Sequence, residues 1–294
     1  AASSSAKTLL LSHMRGHVCD MERLVAVCHA HGLQLVEDCA HTMGAHWAGR
    51  ATGTWGRVGC FSLQSYKHAN GGEGGLLVTD DEDVAAQAIL LSGSYMLYGS
   101  HLSRPGDAVF ERWKYRTPNF SLRMSNLVAA IARPQLGAVL ADRSRRWNER
   151  YGWLAASLVG TPHLRLPERP AAEGYVASSM QFSLVGMNQA QMGAFIAHCA
   201  EAGVHVKWFG AEQPAGFTSV WRHWQFFGDP QVLPRAERVL AGLCDLRLPL
   251  ALTEADCLAI AAVLREASRA AAGEASCIVR GEVVQKSKLR ERQP

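Results

Sequence analysis

The chain has 294 residues, 48% of them hydrophobic, and a formal net charge of +4, which suits one large or two moderate domains with a real core. So small a charge excludes a broad nucleic-acid footprint, and no apolar run reaches the about 20 residues of a membrane span. Eight cysteines without a CxxC pair, and an opening stretch whose apolar part (residues 9–11) is too short for a secretory signal, point to a reducing, cytoplasmic setting.

Residues 1–5 read as a disordered start and 8–11 as a buried strand. His13, His17 and Cys19 have a spacing that could hold a metal. No fourth ligand lies nearby, so a polar loop is expected there and no metal site. Asp20 is a suitable cap for a helix through Met21, Leu24, Val25 and Cys28, which Gly32 stops. Residues 33–36 form a second apolar run ending on Glu37 and Asp38, the look of a buried parallel strand with carboxylates at its C-terminal end. Strand, helix and strand make a βαβ unit, and in such sheets the C-terminal strand ends face the ligand crevice.

Glycines 49, 53, 56 and 59 do not spell GxGxxG and precede a strand rather than a helix, which excludes a dinucleotide site. That strand, 58–63, carries Ser62. Ser65, Tyr66 and Lys67 follow, then Gly71, Gly72, Glu73, Gly74 and Gly75, then a third strand at 76–79. Glycines so dense allow close approaches that side chains would block. A lysine confined beside them can be desolvated, which lowers its pKa and suits it to Schiff-base formation. An acid, a hydroxyl and a lysine on neighbouring strand ends are the parts that pyridoxal phosphate needs. The lysine forms the imine, the acid pairs with the pyridinium nitrogen, and the hydroxyl holds a phosphate oxygen.

Residues 80–91 read as a helix with acids at its N-terminus, and 92–118 as a long irregular loop of the kind that carries binding contacts. From Ser125 one long helix is expected, kinked at Pro134, with Arg143, Arg145, Arg146 and Arg150 on a solvated face. Prolines 162, 167 and 170 mark a linker into a second α/β unit. It has strands at 180–185, 204–208 and 244–250, and helices at 189–202 and 253–271. The aromatic stretch 217–227 reads as packing or a substrate-side loop, His68 as structural or a substrate contact, and the charged C-terminus as disordered.

EDCAH at 37–41, followed by FSLQSYKHANGGEGGLLVTDD at 61–81, resembles the DegT/StrS family of pyridoxal-phosphate-dependent aminotransferases, most of which act on nucleotide-linked keto sugars. PNFSLRMSNLVAAIARPQL at 118–136 is similar to a further family segment. The resemblance covers about residues 10–270. It implies a fold-type I α/β architecture: a partial, mainly parallel sheet with helices over 1–145, a smaller C-terminal α/β domain over 146–270, and a tail over 271–294.

The resemblance also implies roles. Lys67 would form the internal aldimine and shuttle the proton, and Asp38 would pair with the pyridinium nitrogen. His41 would sit near the ring's phenolic oxygen, and Ser62 would bind phosphate. In the implied homodimer Asn119, with Ser121 as a rival, would reach the partner's cofactor phosphate. The implied reaction moves an amino group from glutamate or glutamine to a keto substrate, a nucleotide-linked keto sugar. Family proteins begin with a further section of the large domain, absent from this sequence, that carries more phosphate-binding residues and an aromatic that stacks on the ring. Two alternatives stay open. One is a non-catalytic dimer partner or regulator of the same fold. The other is a related enzyme making an amino-cyclitol or amino-aromatic.

Overall fold

A computed structural model describes residues 5–93, 97–213, 220–225, 228 and 232–274. Most of the expected tail lies outside these residues, as do residues 217–219 and 226–227 of the aromatic stretch. The chain divides into two compact units, one of Ala1–Arg145 with Pro170–Val176 and one of Arg146–Arg169 with Ala177–Pro294.

In the first unit, β1 (Thr8–Ser12), α1 (Met21–Ala30) and β2 (Gln34–Asp38) form the βαβ motif, with β1 and β2 parallel and Ser12 opposite Asp38. The Asp20 carboxylate accepts the Arg23 amide at 3.0 Å, satisfying a helix-end donor that is worth about 1 kcal/mol. A short hairpin, β3 (His46–Trp47) and β4 (Arg50–Ala51), precedes β5 (Val58–Ser62). Strand β5 lies parallel to β2 with Cys60 opposite Asp38, and β6 (Gly75–Val78) returns antiparallel with Gly75 opposite Ser62. The sheet order is β1-β2-β5-β6. The C-terminal ends of its three parallel strands carry Ser12, Asp38 and Ser62.

Alternation along the strands puts Leu10, Val36 and Val58 on one face, together with Ser12, Asp38, Cys60, Ser62 and Leu77. This face is open, with Leu10 67% and Leu77 45% exposed, while Leu35 and Glu37 on the opposite face are buried. Parallel sheets are ordinarily covered on both sides. Here the acid and the hydroxyls stand on the bare side.

Helix α2 (Glu82–Leu91) follows, capped by Asp81, which accepts the Val84 amide at 3.0 Å. The next stretch is not irregular throughout, because it contains α3 (Asp107–Trp113). Val109 and Phe110 of α3 bury against Ala86 and Ile89 of α2. Two turns of helix are too few to persist on their own propensity, so this packing makes α3. The single kinked helix is also corrected. Helix α4 (Asn126–Ala132) ends in a tight turn through Pro134, and Gly137 at φ +67° breaks the chain before α5 (Ala138–Leu158). A left-handed residue cannot sit inside a continuous right-handed helix.

After α5 come β7 (Leu164–Arg165) and β8 (Glu173–Gly174). Strand β8 pairs antiparallel with β3, so the chain beyond the prolines returns to the first unit. The second unit adds β9 (Ser179–Leu184), α6 (Gln189–Glu201), β10 (Val206–Trp208), α7 (Pro234–Gly242), β11 (Leu243–Arg247) and α8 (Glu254–Ala272). Its sheet is antiparallel throughout, in the order β10-β11-β9-β7. Met180, Phe182, Phe195, Leu246, Ile260 and Leu264 are buried in this unit. Helices α6 and α8 both begin with reciprocal capping boxes, Asn188 with Gln191 and Thr253 with Asp256. Among the described residues no helix is long and apolar enough to cross a membrane.

Candidate active site

Asp38 ends β2 half-buried on the open face. Its Oδ2 accepts the Ser12 hydroxyl at 2.9 Å and its Oδ1 the Ala40 amide at 3.0 Å. A carboxylate can accept about four hydrogen bonds, so capacity remains for a further donor. Ser12 is a site residue that no sequence motif announces; it is found only through the register of β1 on β2.

Beyond β5 the chain closes into a compact turn. Leu63 donates to the Gly74 carbonyl at 2.9 Å, Gly71 to Leu63 at 2.8 Å, Ser65 to Gly72 at 2.9 Å and Lys67 to Gln64 at 2.9 Å. Gly74 has φ +131°, which L side chains rarely adopt, and a Cβ on Gly71 would lie 2.8 Å from Val128 Cγ1. These demands explain the glycines. Lys67 is half-buried, and its Nζ lies 3.1 Å from His41 Nε2. Ser62 Oγ accepts the Gln64 amide at 3.3 Å, and among the described residues its hydroxyl hydrogen has no acceptor. Burial pulls the neighbouring His68 down to about 4, against a hydrogen bond with the Met43 backbone and with help from the Lys67 charge. His68 is therefore neutral near pH 7. The fold thus gathers Asp38, His41, Ser62 and Lys67 at one end of one sheet.

Asn119 is not gathered there. Its Oδ1 accepts the Ser121 amide at 2.9 Å and the Ser121 hydroxyl at 3.4 Å, forming a local turn around Ser121 at φ +53°. The flanking amides of Phe120 and Leu122 donate to Leu91 at the end of α2.

Glu37 faces the other side of the sheet and was expected only as a strand-end acid. It is completely buried, and it accepts from His13 at 3.1 Å and from the amides of Gly53, Trp55 and Gly56 at 2.8 Å each. Burial alone would raise its pKa. The His13 bond and the three amides outweigh that and hold it below the usual carboxylate range. His13 is thus a core partner rather than part of a wet loop. Glycines 56 and 59 let the loop lie this close: a Cβ on Gly56 would meet the Leu35 carbonyl at 2.5 Å, and one on Gly59 the Gly53 carbonyl at 2.3 Å. His13, Glu37 and Cys39 bring three potential ligand atoms within 4.8 Å of one another. Four donors already occupy Glu37, burial pushes the Cys39 thiol up to about 12, and the buried His13 Nδ1 has no partner among the described residues.

The basic run is likewise not one solvated face. Arg143 Nη1 donates to the His68 carbonyl at 3.2 Å and to Gln135 Oε1 at 2.6 Å. Arg146 and Arg150 donate to the Leu250 carbonyl at 3.3 and 2.7 Å. Only Arg145 fits the expectation, pairing on the surface with Asp142 at 2.6 Å.

The DegT/DnrJ/EryC1/StrS aminotransferase family model matches residues 1–265. GDP-perosamine synthase of Caulobacter vibrioides is 33% identical over 168 residues, covering 55% of this chain and 42% of that protein. L-glutamine:scyllo-inosose aminotransferase of Streptomyces griseus is 43% identical over 88 residues, covering 30% of this chain and 21% of that protein. The matched stretch thus spans less than half of either relative. Among solved structures, the aminotransferase TlmJ from Streptoalloteichus hindustanus matches with a TM-score of 0.73 at 24% identity, over 91% of this chain and 67% of that one. That likeness shows the fold, an α/β architecture with a mainly parallel sheet.

Proposed function

The chain belongs to the DegT/DnrJ/EryC1/StrS aminotransferase family, and we propose that it carries the lysine-bearing part of a pyridoxal-phosphate-dependent aminotransferase site. The observation that carries this reading is the gathering of Asp38, Ser62 and the Lys67–His41 pair at the C-terminal ends of the parallel strands of one sheet. The residues present suit the cofactor. Asp38 retains lone pairs for a cationic N–H, Ser62 retains a hydroxyl hydrogen for a phosphate oxygen, and both stand on the uncovered face.

When bound, pyridoxal phosphate supplies an electron sink that stabilises charge at the carbon losing a proton. Asp38 would accept the ring N–H and favour its protonated form through a charge-assisted bond. Ser12 orients Asp38 from the neighbouring strand. Ser62 would donate its free hydroxyl hydrogen to the phosphate. Lys67 Nζ would hold the group and carry the proton in transit, with His41 Nε2, 3.1 Å away, orienting that amine.

We assign as acceptor a keto sugar carried on a nucleotide, in line with the sugar product named for the Caulobacter relative, and as donor glutamate or glutamine. The name of the Streptomyces relative favours a keto-cyclitol as the second reading. In the proposed homodimer Asn119 or Ser121 reaches the partner's phosphate. Among the described residues the Asn119 amide nitrogen donates to nothing, which leaves it available for that contact.

The test uses the protein loaded with pyridoxal phosphate and given glutamate or glutamine. Release of the 2-oxo acid, followed by amination of a nucleotide keto sugar seen by mass spectrometry, is expected. Amination of a cyclic ketone alone would move the assignment to the cyclitol reading. Absence of any 2-oxo acid would refute the aminotransferase reading.

A further inference from the structure

We propose that Gln135 and Arg143 are positioning residues for Lys67, a clamp through which α4 and α5 hold the turn that carries the lysine. The proposal rests on the reading of Lys67 as the reactive amine. Residues 68–70 lie in the turn between β5 and β6 and belong to no strand, so their backbone groups need partners from elsewhere.

The Gln135 carboxamide supplies two of them. Its Oε1 accepts the Asn70 amide at 3.1 Å and its Nε2 donates to the Asn70 carbonyl at 2.5 Å, the two-point pairing that another backbone would offer. The same Nε2 donates to the Ile131 carbonyl at 2.8 Å, which ties the group to α4. Arg143 then locks the amide's orientation by donating to Oε1 at 2.6 Å, and the same nitrogen reaches the His68 carbonyl at 3.2 Å. The main chain is therefore gripped one and three residues beyond Lys67. On the near side, Lys67 itself donates to Gln64 at 2.9 Å. Val128 of α4 completes the contact by packing where Gly71 and Gly74 carry no side chain.

Glutamate at 135 would keep the acceptor but lose both donor bonds. Alanine would lose everything. An amine misplaced by about 1 Å can lose about a hundredfold in reactivity toward a positioned partner, so a grip on the backbone beside the lysine bears on its chemistry.

The experiment follows the chain itself with Gln135→Ala, Arg143→Leu and the conservative Arg143→Lys. Backbone hydrogen exchange is read over residues 68–75, with α8 as the internal control. Trace acetylation by acetic anhydride across a pH series then reads the Lys67 amine against exposed Lys7. In Gln135→Ala the 68–75 amides should exchange about tenfold faster with α8 unchanged, as a local opening would produce. The Lys67 acetylation profile should move toward that of Lys7, and Arg143→Lys should restore more of the native profile than Arg143→Leu does. Unchanged exchange at 68–75 would overturn the clamp. Faster exchange with an unmoved Lys67 profile would overturn positioning and leave only a structural contact. Labelling with pyridoxal phosphate and borohydride runs in parallel. Failure to mark Lys67 in the unmodified chain would sink the reading of the lysine, while the exchange and acetylation data still judge the clamp.

Discussion

Asp38 illustrates how one side chain serves both the fold and the site. Two of its acceptor positions hold Ser12 and the turn at Ala40, and the rest face the open side of the sheet. Replacing it with asparagine removes a charge-assisted bond worth about 1.5–3 kcal/mol, so pyridoxal phosphate should bind about 10- to 100-fold more weakly in an absorbance titration. Ser12→Ala removes only the orienting hydroxyl and should cost a few-fold. Equal effects from both variants would contradict the division of roles. His68 makes a pH-dependent contribution whose sign is fixed by its depressed pKa. The folded value is about 4 against an ordinary 6.5, so the unfolded chain binds the proton first as pH falls. The stability gained by keeping the ring neutral is full above 6.5 and fades toward 4. Relative to His68→Gln, the protein should lose about 2 kcal/mol between pH 7 and pH 5 in urea unfolding. Glu37 acts in the same direction but lower, its contribution present above the ordinary 4.5 and lost as pH falls through its lowered folded value.

Among the elements, Gly49 in the β3–β4 turn and Gly59 within β5 separate two uses of glycine. A Cβ on Gly59 would sit 2.3 Å from the Gly53 carbonyl, whereas Gly49 at φ +81° has open space around it. Gly59→Ala should cost about 3 kcal/mol by forcing backbones apart, and Gly49→Ala about 1 kcal/mol from conformation alone. Urea unfolding of the two variants checks the ordering. The strands and capped helices are legible in the sequence because apolar runs there are bounded by strong signals, such as Asp20 before α1 and Asp81 before α2. Helix α3 and the break at Gly137 are not, since both depend on packing or on one backbone angle. The site divides the same way. Asp38, His41, Ser62 and Lys67 stand in a recognisable motif at strand ends. Ser12 needs the strand register, and Gln135 meets Asn70 across 65 residues of chain, a contact no local pattern carries.

At the scale of the molecule, the bare face bearing Leu10, Val36, Val58 and Leu77 is the feature most at odds with a finished parallel sheet. Exposed apolar patches of this kind drive association. Leu10→Lys should therefore reduce concentration-dependent self-association of this chain in sedimentation velocity. No change would place the sticky surface elsewhere. The return of Pro170–Val176 to the first unit also belongs to this scale, because a two-residue strand such as β8 leaves no trace in sequence periodicity.

The central claim is that Lys67 is the residue to which pyridoxal phosphate attaches, with Asp38 and Ser62 holding the same molecule. The most direct test is to incubate the chain with pyridoxal phosphate, reduce with borohydride and map the modified peptides, alongside Asp38→Asn. The expected result is label concentrated on Lys67 and sharply diminished in the variant. Label spread over exposed Lys7 and Lys207, with none on Lys67, would contradict the account.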